Sequence, residues 1–242
     1  MKITAMTQDE QKKLAGTHAV DSLVERGLIR SGMKIGLGTG STAIHGVKRL
    51  AELIQAGKLT DVRAVVTSFQ TGIACEDWGI PVYSLNARGI AGTLDLTIDG
   101  ADEIDGENRL IKGGGAALLR EKIAAYNSKR FVVIADESKF VKHLGTAFAL
   151  PVEAVEEART SVAARLAELG AVCTLREGVR KAGPVITDSG NIILDCLWKE
   201  PVDSAALEKD INAIVGVVEN GFFTQNRPLV FGARSDGTVF ER

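Results

Sequence analysis

What this chain lacks narrows its class first. No apolar run approaches the ~18 residues of a membrane-spanning helix, and mean hydropathy is only +0.08. No charge sign dominates: 29 Lys and Arg stand against 31 Asp and Glu, a formal −2, so no broad positive field exists to hold nucleic acid. Cysteine is scarce. Cys75, Cys173 and Cys196 are far apart with no Cys-x-x-Cys pair, which argues against a disulfide framework and a structural zinc site and leaves them as buried small hydrophobes. His18, His45 and His143 show no metal-ligand spacing. Residues 1–11 contain no apolar core of a secretory leader, so a cytoplasmic protein is expected.

What is present is an ordinary globular composition, 45% hydrophobic and 25% charged, over 242 residues. At ~150 residues per domain this is one large domain or one with a smaller companion. A helix is predicted from about Thr7 to Arg26, with Ala15, Ala19, Val20 and Leu23 at helical spacing. Strand, glycine turn and helix then follow in Met33–Leu37, Gly38–Thr42 and Ala43–Ala56, and the alternation continues with strands at Val62–Thr67, Val82–Leu85, Leu94–Ile98 and Phe131–Ala135. This rhythm predicts an α/β fold, a Rossmann-like, mostly parallel sheet covered by helices. From Phe148 the order becomes β-α-β-β-α-β, with a further short strand at Val185–Thr187 before the Asp188–Asn191 turn and a last strand at Val217–Phe223, which predicts a smaller ferredoxin-like α+β domain. The expected boundaries are 1–147 with 224–242 for the first domain and 148–223 for the second.

Three strings carry chemistry. In Gly38-Thr39-Gly40-Ser41-Thr42, glycines after a strand let backbone approach a ligand, and the following helix start attracts an anion. It is a phosphate turn or a packing turn; it lacks the Lys of a P-loop and the third glycine of a dinucleotide fingerprint. Asp99-Gly100-Ala101-Asp102 ends an apolar strand and begins a run of four acids in seven residues, Asp99 to Asp105. These acids either lie in water or bind protons, sugar hydroxyls or a hard cation, the last requiring further oxygen ligands. Lys112-Gly113-Gly114-Gly115 opens a helix carrying Arg120-Glu121-Lys122. A glycine run is entropically costly, which favours close approach to a ligand. The helical neighbours of Glu121 are Ala117, Leu118, Ala124 and Ala125, so at least one of the three charges is expected to be poorly hydrated, and a desolvated carboxylate is suited to general-base work.

These strings, with Asp136-Glu137-Ser138-Lys139, Leu150-Pro151-Val152-Glu153, Thr187-Asp188-Ser189-Gly190-Asn191 and Gly216-Val217-Val218-Glu219, resemble in order and spacing the ribose-5-phosphate isomerases of the A type over nearly the whole chain. The resemblance implies interconversion of D-ribose 5-phosphate and D-ribulose 5-phosphate, a pentose phosphate pathway step, with no metal or organic cofactor. It implies Glu121 as general base, with Asp99 and Lys112 also catalytic. It implies substrate binding by Lys12, by Thr39, Gly40, Ser41 and Thr42, by Asp99, Gly100, Ala101 and Asp102, by Lys112, Gly113, Gly114 and Gly115, and by Lys139. The partner is then a small sugar phosphate, not nucleic acid or membrane, and the chain is expected to form a homodimer or homotetramer. Arg176–Pro184 is longer than the family's usual hairpin region. The alternatives are an amino-sugar-phosphate deaminase, a coenzyme A transferase, or a non-catalytic sugar-phosphate sensor; a sensor would be expected to carry a basic DNA-reading helix, and no such helix is spare here.

Overall fold

Thr7 starts the first helix through a reciprocal capping box: its side chain accepts from the Glu10 N–H while the Glu10 carboxylate accepts from the Thr7 N–H. The computed structural model describes residues 5–242; residues 1–4, part of the segment read above for a leader, lie outside the described residues. In chain order the elements are α1 (Gln8–Glu25), β1 (Lys34–Leu37), α2 (Ala43–Gln55), β2 (Arg63–Val66), α3 (Phe69–Asp77), β3 (Leu96–Asp99), β4 (Glu103–Ile104), β5 (Leu110–Ile111), α4 (Leu118–Tyr126) and β6 (Phe131–Asp136). They continue with β7 (Leu150–Ala154), α5 (Arg159–Glu168), β8 (Val172–Leu175), β9 (Ile192–Leu197), α6 (Ser204–Asn212), β10 (Val217–Asn220), β11 (Phe222–Phe223), β12 (Leu229–Ala233) and β13 (Val239–Glu241).

The chain divides into two compact units. One runs to Gly100 and takes in Arg120–Lys139 and Pro228–Arg242; the other comprises Ala101–Leu119 and Phe140–Arg227. The first holds a six-stranded sheet in the order β13-β12-β6-β3-β1-β2, parallel except for the antiparallel β13 edge. Its central strands β3 and β6 are wholly buried while the edge strand β13 is not; α1 packs on β6 and β12, and Leu23, Ile35, Leu37, Leu50, Ile98, Ile134 and Phe231 fill the core. This is the Rossmann-like sheet expected from the alternation.

The second unit carries a four-stranded antiparallel sheet in the order β10-β7-β9-β8, which with α5 and α6 is the ferredoxin-like arrangement. It also holds a small sheet, β11-β5-β4. That pairing goes with the placing of residues 101–119 in the second unit, where residues 140–147 and 224–227 also fall, although the expected boundaries left all three segments with the first.

Three sequence expectations need correction. Val82–Leu85 is no strand; only Val82 bridges Ala64, with Pro81 before it and Val82 and Tyr83 both exposed. Val185–Thr187 is reduced to a bridge from Ile186 to Ile192, next to the exposed, proline- and glycine-containing 178–184 segment. The expected strand Val217–Phe223 is cut at Gly221, whose N–H donates to the Pro151 carbonyl while its own carbonyl accepts from the Lys112 N–H at 2.9 Å. A Cβ there would stand 2.4 Å from the Lys112 carbonyl oxygen, so only glycine passes from one sheet to the other.

The cysteines also differ from expectation. Cys75 and Cys196 are buried, but Cys173 is half-buried and lies directly across β8–β9 from Cys196, Sγ to Sγ 3.3 Å. Twenty-three residues of separation conceal that pairing in the sequence.

Candidate active site

In the first unit, the carboxyl ends of β1 and β3 form one construction. Gly38 follows β1, and its N–H donates to the Ile98 carbonyl at 2.8 Å. A Cβ on Gly38 would lie 2.0 Å from Asp99 Oδ1 and 2.6 Å from Asp99 Cα, so the turn and the aspartate approach as closely as they do only because Gly38 has no side chain. Asp99 is fully buried, and its Oδ1 accepts from the N–H groups of Thr39 (3.1 Å) and Gly100 (2.7 Å). Thr39 shares a 2.7 Å hydroxyl contact with Thr67, and the Thr71 hydroxyl donates to the Gly38 carbonyl at 2.8 Å. Thr67 and Thr71 thus hold the turn from behind, and nothing in their local sequence marked them.

Gly40 has φ +98°, a left-handed conformation that turns the chain into α2. Ser41 is exposed, and Thr42, buried, sits at the N-cap without making a capping hydrogen bond. The positive end of the α2 dipole is therefore left uncapped by the Thr42 hydroxyl, the kind of helix start that attracts an anion. His45, in that turn, titrates below an ordinary histidine because burial disfavours its cation, a trend that Asp9 opposes and that Lys13, Lys12 and Lys48 reinforce.

The same unit holds Glu121, Lys12 and Lys139. Of Arg120, Glu121 and Lys122, Arg120 is exposed while Glu121 is 4% exposed and Lys122 is equally buried, its Nζ 5.8 Å from the centre of the Tyr126 ring. Lys12 lies on α1 with Nζ 3.5 Å from Asp9. Lys139 ends the short 3-10 turn Glu137–Lys139 after β6 and is half-buried. Sequence reasoning gave Asp136 no role beyond the resemblance. It is fully buried at the end of β6, its Oδ1 accepting from Gln8 and Ser138, and its Oδ2 is buried without a hydrogen bond. The signal was available, since Asp136 ends an apolar strand just as Asp99 does.

In the second unit the other three acids of the run, Asp102, Glu103 and Asp105, separate into roles. Glu103 is buried and binds the N–H groups of Gly145 (2.8 Å) and Phe148 (2.9 Å); Asp105 folds the 105–109 turn by accepting from Glu107, Arg109 and the Arg109 guanidinium. Both are structural. Asp102 instead braces the glycine run, its Oδ2 accepting from the Gly114 N–H at 2.8 Å. Ala101 leads into it, half-buried. Lys112 is 2% exposed, with Nζ 5.7 Å from the centre of the Phe223 ring. Gly113 has φ +109°, and Gly114 and Gly115 are exposed. Among the described residues, no group of three His, Cys, Asp or Glu is arranged to hold a metal ion. No described helix is long and apolar enough to cross a membrane.

A parallel sheet whose strands end in a glycine turn and a buried aspartate, with an anion-attracting helix start, defines the class of α/β proteins that bind small ligands at strand carboxyl ends. Comparison with known proteins narrows the class. The family model of ribose 5-phosphate isomerase A (phosphoriboisomerase A) matches residues 63–237. The chain is 57% identical over 236 residues to the ribose-5-phosphate isomerase A of Treponema denticola, covering 97% of this chain and 99% of that one. It is 52% identical over 244 residues to that of Treponema pallidum, covering 99% and 95%. Among solved structures, ribose 5-phosphate isomerase A from Methanocaldococcus jannaschii aligns with a TM-score of 0.88 at 39% identity, covering 98% of this chain and all of that one. A D-ribose-5-phosphate isomerase in complex with phospho-erythronic acid aligns at 0.90 and 37% identity, covering 98% and 100%. The chain belongs to the ribose 5-phosphate isomerase A family and is an isomerase.

Proposed function

We propose that this protein interconverts D-ribose 5-phosphate and D-ribulose 5-phosphate through an enediolate, with Glu121 as the general base. Moving the carbonyl between C1 and C2 requires one group to take a proton from C2 and return it to C1, while the oxygens carry developing negative charge. Glu121 shuttles the proton. Lys112, withdrawn from water, stabilises the enediolate oxygens, where a cation acts more strongly than it would in bulk solvent. Asp99 assists ring opening and hydroxyl proton movement, and Asp102 orients the glycine run and substrate hydroxyls. The phosphate binds at Gly40, Ser41 and Thr42, with Lys12 and Lys139 as further substrate lysines. No metal or organic cofactor enters these steps.

The observation that carries this reading is the burial of Glu121 in a chain of this family: a carboxylate shielded from bulk water takes up a proton without losing the enediolate to side reactions. The ligand in the solved relative supports the substrate class, because phospho-erythronic acid joins a phosphate to a planar carboxylate that resembles an enediolate in charge and shape. We assign a cytoplasmic homodimer or homotetramer, with the exposed cross-strand pair Val172 and Leu197 offered to a second copy. The direct test is conversion of ribose 5-phosphate to the ketose by purified protein in a strong chelator. Turnover is expected to persist; loss restored by a divalent ion would make Asp99 and Asp102 metal ligands, and turnover of an amino-sugar phosphate alone would make the protein a deaminase.

A further inference from the structure

We infer that Arg176 is a positioning residue for the isomerisation, locking the peptide planes of the Lys112–Gly115 run. Arg176 begins the long segment that joins β8 to β9. Its Nη1 donates to the carbonyls of Gly113 (2.9 Å) and Gly114 (3.1 Å), and its Nε and Nη2 form a two-pronged pair with Asp195 on β9. The Arg176 side chain is 15% exposed and that of Asp195 25%. Asp195 thus fixes the fork from one side, and the planar guanidinium presents its remaining donor to the loop.

The geometry specifies what this accomplishes. In a trans peptide the C=O and the N–H of the next residue point in opposite directions. The Gly113 carbonyl faces Arg176 while the Gly114 N–H faces Asp102 Oδ2 at 2.8 Å, so that peptide is held from both sides. The Gly114 carbonyl also faces Arg176, which turns the Gly115 N–H to the opposite side. Three consecutive glycines otherwise sample a wide range of conformations. Arg176 removes that freedom at the Gly113–Gly114 and Gly114–Gly115 peptides, seating the Gly114 N–H on Asp102 and aiming the Gly115 N–H, on the side away from Arg176, as a donor toward a ligand oxygen. A lysine at this position offers one compact charge without the fork, so it restores only part of the lock.

This inference rests on the assignment of the Lys112–Gly115 run to the substrate, and the experiment separates the two. Steady-state kinetics are measured for Arg176→Ala, Arg176→Lys and Lys112→Ala, with thermal unfolding of each. Arg176→Ala is expected to lower kcat/KM about 10- to 100-fold, the scale of a small misplacement of catalytic groups, with its melting transition still cooperative. Arg176→Lys should recover part of that loss, and guanidinium ion added to Arg176→Ala at non-denaturing concentration should recover part as well. Wild-type kcat and KM in Arg176→Ala, or a loss that neither lysine nor added guanidinium restores, overturns the positioning role. If Lys112→Ala is fully active, the assignment of the run itself fails; if Lys112→Ala is crippled and Arg176→Ala is not, only the lock fails.

Discussion

Gly38 and Gly114 each stand against an aspartate, but for different physical reasons. A Cβ at Gly38 would meet the backbone Cα of Asp99 at 2.6 Å, and Asp99 is fixed in β3, a fully buried strand. A Cβ at Gly114 would meet Asp102 Oδ1 at 2.7 Å, the far end of a side chain that can swing away. The first glycine is a requirement of strand packing; the second belongs to an exposed loop held by its N–H donating to Asp102 and by Arg176 donating to its carbonyl. Strand packing therefore holds the first glycine in the first unit, and side-chain hydrogen bonds hold the second within the second unit.

The largest effect should come from the base. Glu121→Gln keeps shape and removes the proton acceptor, so kcat should fall by about 10²- to 10⁴-fold, or about 3 to 5 kcal/mol of barrier, with KM and the melting temperature little changed. Near-wild-type kcat in the folded variant would move the base elsewhere, with Asp99 the next candidate. Lys112→Ala follows at about 10²- to 10³-fold in kcat, exceeding any rise in KM, because a cation on the enediolate oxygens acts on the transition state more than on the neutral carbonyl. Intact kcat with raised KM would make Lys112 an anchor only.

The glycine comparison has its own stability test. Gly38→Ala should cost about 1 to 3 kcal/mol of overpacking, read as a melting temperature lower by about 2 to 4 °C for each kcal/mol. Gly114→Ala should cost under about 1 kcal/mol while still lowering kcat/KM. Equal losses of stability would erase the distinction.

The smallest effect on activity is expected from the thiols, which also differ between the units. Burial pushes the Cys75 thiol up to about 11. The hydrogen bond with Cys196 holds Cys173 below an ordinary thiol and raises Cys196, whose burial raises it further. Iodoacetamide at about pH 8 should therefore label Cys173 first, followed by mass spectrometry of tryptic peptides, since labelling follows the thiolate fraction and access. Faster labelling of Cys75 would contradict the packing of the first unit's core.

The elements were legible where local chemistry and packing agree. Ala15, Ala19, Val20 and Leu23 declared α1, and its capping residue Thr7 stood at the predicted start. Val82–Leu85 was misread because an apolar and aromatic run carries strand propensity, while its pairing with the β2 edge stops at the single bridge from Val82 to Ala64. The split at Gly221 was invisible because the constraint is the distant Lys112 carbonyl.

For the site, sequence order and residue type marked Thr39–Thr42, Asp99–Asp102, Lys112–Gly115 and Glu121, because glycines, strand-end aspartates and charges amid apolar helix neighbours leave a local pattern. Which acids brace and which fold turns was decided only in three dimensions: Glu103 and Asp105 find partners that their spacing does not reveal. The same holds for Arg176, whose bonds to Gly113 and Gly114 span more than sixty residues, and for Cys173 beside Cys196. Periodicity and glycine placement act over a few residues and can be read along the chain. Hydrogen bonds and steric exclusion between segments distant in sequence exist only once β-strand pairing has set their register.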